Sequence, residues 1–585
     1  MHLLIRFGVF ELNIRSGELL RQGSRVKLQN QPFQILQMLL ENPGEVVTRE
    51  ELRKRLWPEN TFVDFDHGLN KAVSGLRWAL KDRVSKPHFI ETLPQRGYRF
   101  IAKLENGSAA ASSAPQLLYS SPPPHSLRVD SLAVLPLENL SGDPAQEYFA
   151  DGMTEELICA VARIASLRVI SRTSVMTFKG ARRSLPDIAK ELRVDAIVEG
   201  TVARFGEKVR ITAQLIYAAD DRHLWSGRYE RDVSDVLQLQ AEIAQSIASQ
   251  VHKLVDPKQA SPRLERPVHP RAFEACLKGN FFRDKLTPAD LEKSIAFFTQ
   301  AIELDPAYGR AYADLSQSYV YLGIFGVTDS REVFLKARAN ALKALELDET
   351  AAAAHNALAI IHILYDWDWA GAEAECRRAV ELNPNSSVTH AHFADYLSIR
   401  GRHDEAIAAF SRALELDPIS RVFIGWFGLI LHRARRYDES IAQCRKALEI
   451  DPNYANALWF MALSLEQKGE LSEAIETLKR AASLSNGPHY RALLGRAYAL
   501  AGERTKALQI LEELQELSRR TYVSIFDLAV VHVGLDDWNS AFACFEEAYQ
   551  QRIFRIIELT FPMFDCLRVD PRWGDLVRRI GLPQS

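Results

Sequence analysis

Cysteine is scarce. The chain of 585 residues holds six, Cys159, Cys276, Cys376, Cys444, Cys544 and Cys566. No two form a C-x-x-C pair and no Cys/His group has metal-ligand spacing. A disulfide framework and a metal site are therefore not expected. Most of the six fall on apolar helix faces, where a free thiol acts as a small hydrophobe. That usage suits a reducing cytoplasm. Long apolar runs are missing too. The nearest candidates, 422–431 and 523–535, are too short to cross a membrane, and the second contains Asp527 and His532. The opening residues lack the basic-then-apolar design of a signal peptide. No G-x-x-x-x-G-K-[ST] phosphate loop occurs. No cofactor, no catalytic site and no membrane partner are expected.

Charge is unevenly spread. Residues 1–104 hold 17 Lys+Arg and 11 Asp+Glu, a net of +6; the whole chain is −3, so the remainder carries −9. A basic segment on an acidic chain points to a polyanionic partner. The length exceeds one ordinary domain several-fold.

Within the basic segment, Thr48-Arg-Glu-Glu51 has the form of a capping box, in which hydroxyl and carboxylate satisfy amides at a helix start. Pro58 ends the helix it opens. A second helix is expected to about Lys81, with Leu69, Val73, Leu76 and Leu80 on one apolar stripe. At about 100° per residue the opposite face is centred on His67, Lys71, Ser74 and Trp78, flanked by Asn70, Arg77 and Lys81. Donors, cations and one aromatic on a single helix face suit the major groove. The runs 89–93 and 97–101 then read as a hairpin, with Arg96 near its turn and Arg99 on its second strand, both candidate DNA-binding residues. Ahead of this, residues 3–28 read as a small antiparallel sheet and 31–41 as a helix ended by Pro43-Gly44.

This pattern resembles the winged helix-turn-helix of the OmpR/PhoB type. Phe7-Gly-Val-Phe-Glu-Leu12 is similar to that family's opening strand, Thr48-Arg-Glu-Glu-Leu52 and Trp57 to its positioning helix, Val73-Ser-Gly-Leu-Arg77 to its recognition helix, and Gly97-Tyr-Arg-Phe100 to its wing. The resemblance implies double-stranded DNA as partner, met by Lys71, Ser74 and Arg77 from the helix and Arg96 from the wing. It also implies docking as a homodimer on repeated half-sites. Ser74 and Gly75 stand where basic residues are common in the family. Relatives of the CadC/ToxR kind carry a membrane span next. Here residues 105–130 form a Ser/Ala/Pro-rich linker instead.

Residues 131–255 alternate strands and helices and end in a hairpin, a small α/β domain. The stretches Ala133-Val-Leu-Pro-Leu137, Tyr148-Phe-Ala-Asp-Gly152, Val198-Glu-Gly-Thr-Val202 and Leu224-Trp-Ser226 resemble a domain likened to the amino-terminal domain of TolB and to FlgO. Chains of this kind sometimes bear a cyclase label, but no carboxylate pair suited to two metal ions is evident here. Asp151-Gly152 is expected at a helix start, as a cap or an anion site. A Pro-rich linker, 256–271, follows.

From residue 272 a repeat takes over. Glu303-Leu-Asp-Pro306, Glu346-Leu-Asp-Glu349, Glu381-Leu-Asn-Pro384, Glu415-Leu-Asp-Pro418, Glu449-Ile-Asp-Pro452 and Ser483-Leu-Ser-Asn486 end 43, 35, 34, 34 and 34 residues apart. A period of 34 is the tetratricopeptide signature. Ala406, Phe410, Ala413 and Pro418 show the inner pattern: small residues for close helix approach, a large one as plug. About eight hairpins are expected over 272–585, with a tail from 553 capping the last. The aromatics Tyr319, Tyr321, Trp367, Trp369, Trp426 and Trp459 are expected in the core. The groove of such an array is expected to take a protein or peptide.

The expected architecture is multidomain: an α+β winged helix-turn-helix (1–104), a small α/β middle domain and an all-α tetratricopeptide superhelix. The expected function is a one-component, sequence-specific DNA-binding regulator in the cytoplasm. The alternative is a repeat-based adaptor or scaffold with weak or vestigial DNA binding.

Overall fold

The computed structural model describes residues 4–105, 129–247 and 268–584, with short interruptions including 57–64, 83–86, 163–166 and 326–329. The linkers expected at 105–130 and 256–271 lie largely outside the described residues. The chain forms two compact units, Met1–Pro122 and Pro123–Ser585.

In the first unit five short strands make an antiparallel sheet in the order Ser24–Val26, Glu18–Arg21, Phe10–Asn13, Leu4–Phe7, Leu104–Glu105. Helices Asn30–Glu41, Arg49–Leu56 and Phe65–Leu80 follow. A three-stranded sheet places Gly97–Phe100 between Val46–Thr48 and Ile90–Leu93. Phe7, Leu36, Leu76 and Phe100 are fully buried between these layers, and the Phe7 and Phe100 rings meet edge-on at 5.2 Å. The capping box is formed: the Thr48 amide donates to Glu51 Oε2 (2.8 Å) and the Glu51 amide to Thr48 Oγ1 (3.2 Å). Gly97 is dictated by close approach, since a Cβ there would lie 2.1 Å from the Val47 carbonyl oxygen.

The second unit opens with a mixed sheet, ordered Arg168–Val169, Ser131–Val134, Ala196–Phe205, Lys208–Tyr217, Arg222–Asp232. The first three strands are parallel and the last two antiparallel. Most of the stretch 236–255 lies outside the described residues, but Leu239, Ile243 and Ile247 are buried at helical spacing in the domain core. Helix Glu147–Ala162 begins four residues before Asp151, so Asp151-Gly152 sits inside the helix and neither caps it nor offers free amides. Asp151 is buried and paired with Lys179. A Cβ on Gly152 would lie 2.7 Å from Leu277, so this glycine admits the first repeat helix.

Among the described residues eight helical hairpins follow, from Pro270–Arg283 with Pro288–Leu304 to Ile525–Gly534 with Trp538–Gln550. The small-and-plug pattern is realised: Ala406, Phe410 and Ala413 are fully buried. Of the six aromatics expected in the core, Trp367 is buried; Tyr319, Tyr321, Trp369, Trp426 and Trp459 are half-buried and packed against core clusters.

Two segments lie across the repeats. Residues from 553 do more than cap the last hairpin. Phe564 packs on Phe545 at 5.7 Å, and the tail then runs back across earlier repeats. Phe561 lies under Arg433 (4.9 Å), Arg496 donates to the Met563 carbonyl (3.2 Å), and Trp369 Nε1 donates to the Ile580 carbonyl (2.8 Å). Trp367 of the third repeat stacks on Tyr549 of the eighth at 5.2 Å, so the array closes on itself. The second segment is helix Glu147–Ala162, which packs on the first repeat helix; Phe273 and Leu277 of that helix join the middle domain's core. The Asn385 amide donates to the carbonyls of Ala162 (2.8 Å) and Leu167 (2.9 Å), and Ser174 donates to Asp417. The middle domain and the repeats are therefore one body.

An ionic seam lies in that junction. Arg310 pairs with Glu156, Arg283 with Asp314 (2.6 Å) and with Glu155 (3.8 Å), and Arg172 with Asp284. Burial first, and then the nearby Asp284 carboxylate, push the Glu155 carboxyl up to about 7 against the opposing pull of Arg172, Arg283 and Arg310. The folded state thus holds a proton that the unfolded chain has released. Stability is greatest near pH 4.5 and below as far as this group is concerned, falls as pH rises to about 7, and is flat above. Glu155→Gln is expected to remove this loss, worth up to about 3 kcal/mol. Its melting temperature should exceed that of the unsubstituted chain at pH 7 and converge with it near pH 5, as read by calorimetry.

Candidate nucleic-acid interface

The recognition helix Phe65–Leu80 buries Leu69, Val73, Leu76 and Leu80, each 2% exposed or less. Burying that stripe fixes which residues face outward. Ser74 and Gly75 are exposed, as is Lys81 just past the helix end. The side chains of His67, Asn70, Lys71 and Trp78 lie outside the described residues, although the helix backbone that carries them is described.

Arg77 is not on the outer face. It is 8% exposed, and its Nη2 donates to the Ile90 carbonyl (3.1 Å) and to Thr92 Oγ1 (2.6 Å). The reason is periodicity: Arg77 follows Val73 by four residues, which puts it on the flank of the buried stripe. There the wing supplies two acceptors. Arg99, on the middle wing strand, is half-buried between the inward Tyr98 and Phe100 and lies 3.7 Å from Glu91, which offsets its charge.

Arg96 is exposed at the head of strand Gly97–Phe100. Its backbone is held at both ends: its amide donates to the Leu93 carbonyl (3.0 Å) and its carbonyl accepts from the Arg49 amide (3.1 Å). Arg49 also reaches the Tyr98 hydroxyl (3.3 Å). The wing turn is thereby tied to the start of the positioning helix. Asp82, which the sequence pattern did not single out, is buried and accepts from the amides of His88 (2.6 Å), Phe89 (3.2 Å) and Ile90 (2.8 Å). A signal existed, because an Asp just after a helix and before a strand is a common acceptor for local amides.

Among the described residues no group of three or more His, Cys, Asp or Glu side chains is arranged to hold a metal ion. No described helix is long and apolar enough to cross a membrane. The arrangement offers a rigid outward helix face, an anchored cationic turn beside it, and a net positive domain.

Comparison with known proteins agrees with this arrangement. Residues 23–100 match the family "Transcriptional regulatory protein, C terminal", and residues 289–308, 393–455 and 431–497 match tetratricopeptide repeat families. The chain is 32% identical over 203 residues to "Putative adenylate cyclase 3" of Rhizobium meliloti, covering 34% of this chain and 35% of that protein. It is 23% identical over 410 residues to "Transcriptional regulator HilA" of Salmonella typhimurium, covering 68% of each. It is 38% identical over 90 residues to "Cholera toxin transcriptional activator" of Vibrio cholerae, covering 15% of this chain and 29% of that protein. The chain thus spans about a third of the first relative's length and about two thirds of the second's. Its amino-terminal domain is a winged helix-turn-helix of the OmpR/PhoB transcriptional-regulator type, and its carboxy-terminal helices are tetratricopeptide repeats.

Proposed function

We propose that the chain is a one-component, sequence-specific transcriptional regulator acting on double-stranded DNA in a bacterial cytoplasm. The observation that carries this reading is the anchored, exposed Arg96 beside a recognition helix whose buried stripe dictates its outward face. Lys71 and Ser74 are assigned to the major groove, with His67, Asn70, Trp78 and Lys81 around them. Arg96 is assigned to the minor groove or its phosphates, and Arg99 supports the wing. Phosphate contacts give affinity and base edges give specificity. Docking as a dimer on repeated half-sites belongs to the same reading. It includes no catalytic step; the cyclase name belongs to the Rhizobium relative, over about a third of this chain.

A second reading rests on Ser74 and Gly75, two uncharged, exposed residues on the outer face of the helix. It makes the chain a repeat-based adaptor with weak DNA binding.

We also propose a protein partner for the repeats. A peptide in their groove competes with the resident tail. Five of its buried side chains, Phe561, Phe564, Leu567, Trp573 and Ile580, together are worth about 10 kcal/mol of burial. The outer helices and loop edges are a second candidate surface.

Salt titration separates the two DNA readings. The regulator reading expects a steep fall of affinity with salt on a preferred fragment, and Arg96→Ala is expected to lower that slope by about 1 without changing the melting temperature. An equal, shallow slope on every fragment favours the adaptor.

A further inference from the structure

A helix in one groove and a wing in the next are useful only if the distance and angle between them are fixed. In this domain the two are joined through side chains at the end of the recognition helix. Arg77 spans from the last helical turn to the Ile90 carbonyl and Thr92 Oγ1. Lys81 then adopts a left-handed backbone (φ 54°), and the Asp82 amide donates to the Arg77 carbonyl (2.9 Å). The turn aims the Asp82 carboxylate at the amides of residues 88–90. Five hydrogen bonds from two side chains therefore hold residues 88–92 against the helix end. Strand Ile90–Leu93 pairs with Gly97–Phe100, at whose head Arg96 stands.

Both residues are 8% exposed, and Arg77 Nη2 and both Asp82 carboxylate oxygens bond inside the domain. The bonds of Arg77 to the Ile90 carbonyl and of the Ile90 amide to Asp82 are buried and the other three part-buried; losing one partner of the buried pair leaves the other unsatisfied. A wing released from them must be ordered anew on each encounter with DNA, which weakens binding even when Arg96 is intact.

We infer that Arg77 and Asp82 are positioning residues that set the wing relative to the recognition helix, so that Arg96 and the helix face engage DNA together. The inference rests on the DNA-binding reading above. It assigns Arg77 a role that a phosphate-contacting arginine does not have.

The test is a double-mutant cycle in the full chain, with binding measured across a salt series on a fragment the unsubstituted protein prefers. The variants are Arg77→Met, Thr92→Val, Arg96→Ala and the pairs with Arg96→Ala. Thr92→Val removes one Arg77 acceptor and keeps the shape, so it serves if Arg77→Met does not fold. Melting curves report the folded fraction. The expected result is that Arg77→Met or Thr92→Val weakens binding roughly tenfold. Adding Arg96→Ala then costs little more, because the wing contact is already lost. The salt slope of each single variant falls by about 1 and that of each pair falls no further. Additive losses, with the pair's slope falling by about 2, would make Arg77 a direct phosphate ligand and overturn the inference. So would unchanged affinity in folded single variants. If the unsubstituted chain prefers no fragment, the DNA-binding reading fails and the inference fails with it.

Discussion

Four side chains on one helix, Leu69, Val73, Leu76 and Leu80, orient everything the amino-terminal unit offers its surroundings. Each is worth about 1.5–3 kcal/mol when buried, so the helix does not rotate about its axis. The outward face follows from that constraint. So does the inward placement of Arg77, which sits next to the stripe and closes against the wing. The positioning helix and the wing are in turn held by Arg49, whose amide and guanidinium bind the wing turn and Tyr98. Stability and presentation are therefore one problem in this domain.

A related constraint shapes the second unit. A tetratricopeptide hairpin cannot bury its apolar face alone, and stacking passes the exposed face along to the end of the array. Here the ends are covered by segments of the same chain. Helix Glu147–Ala162 lies on the first repeat, and the tail from 553 covers the eighth and returns across earlier repeats to the third. Bridging polar contacts such as Asn385 to two middle-domain carbonyls make the junction specific rather than merely apolar. The repeats thus act first as the scaffold of their own unit.

Much of this was legible in sequence because it is written in period and spacing. The apolar stripe, the capping box at Thr48, the 34-residue repeat and the Ala406–Phe410–Ala413 plug all appear where local pattern puts them. What was not legible depends on which element comes to lie beside which. Arg77 is expected on the flank of the outer face, yet its four-residue step from Val73 sets it beside the buried stripe, and the acceptors at Ile90 and Thr92 that draw it inward have no local signal. Asp151-Gly152 looked like a helix start, but the helix begins earlier and its glycine is required by Leu277, more than a hundred residues away. The tail's return to Trp369 has no local signal, since the partners of Ile580 lie about two hundred residues back.

The most direct measurement is a genome-wide selection of DNA fragments bound by the full chain, run in parallel with a Lys71→Ala/Arg96→Ala variant. A sequence-specific regulator enriches a repeated motif with a fixed spacing between half-sites, and the variant loses the enrichment. Weak, motif-free recovery that is equal for both proteins would contradict the account and leave the winged helix without a specific DNA target.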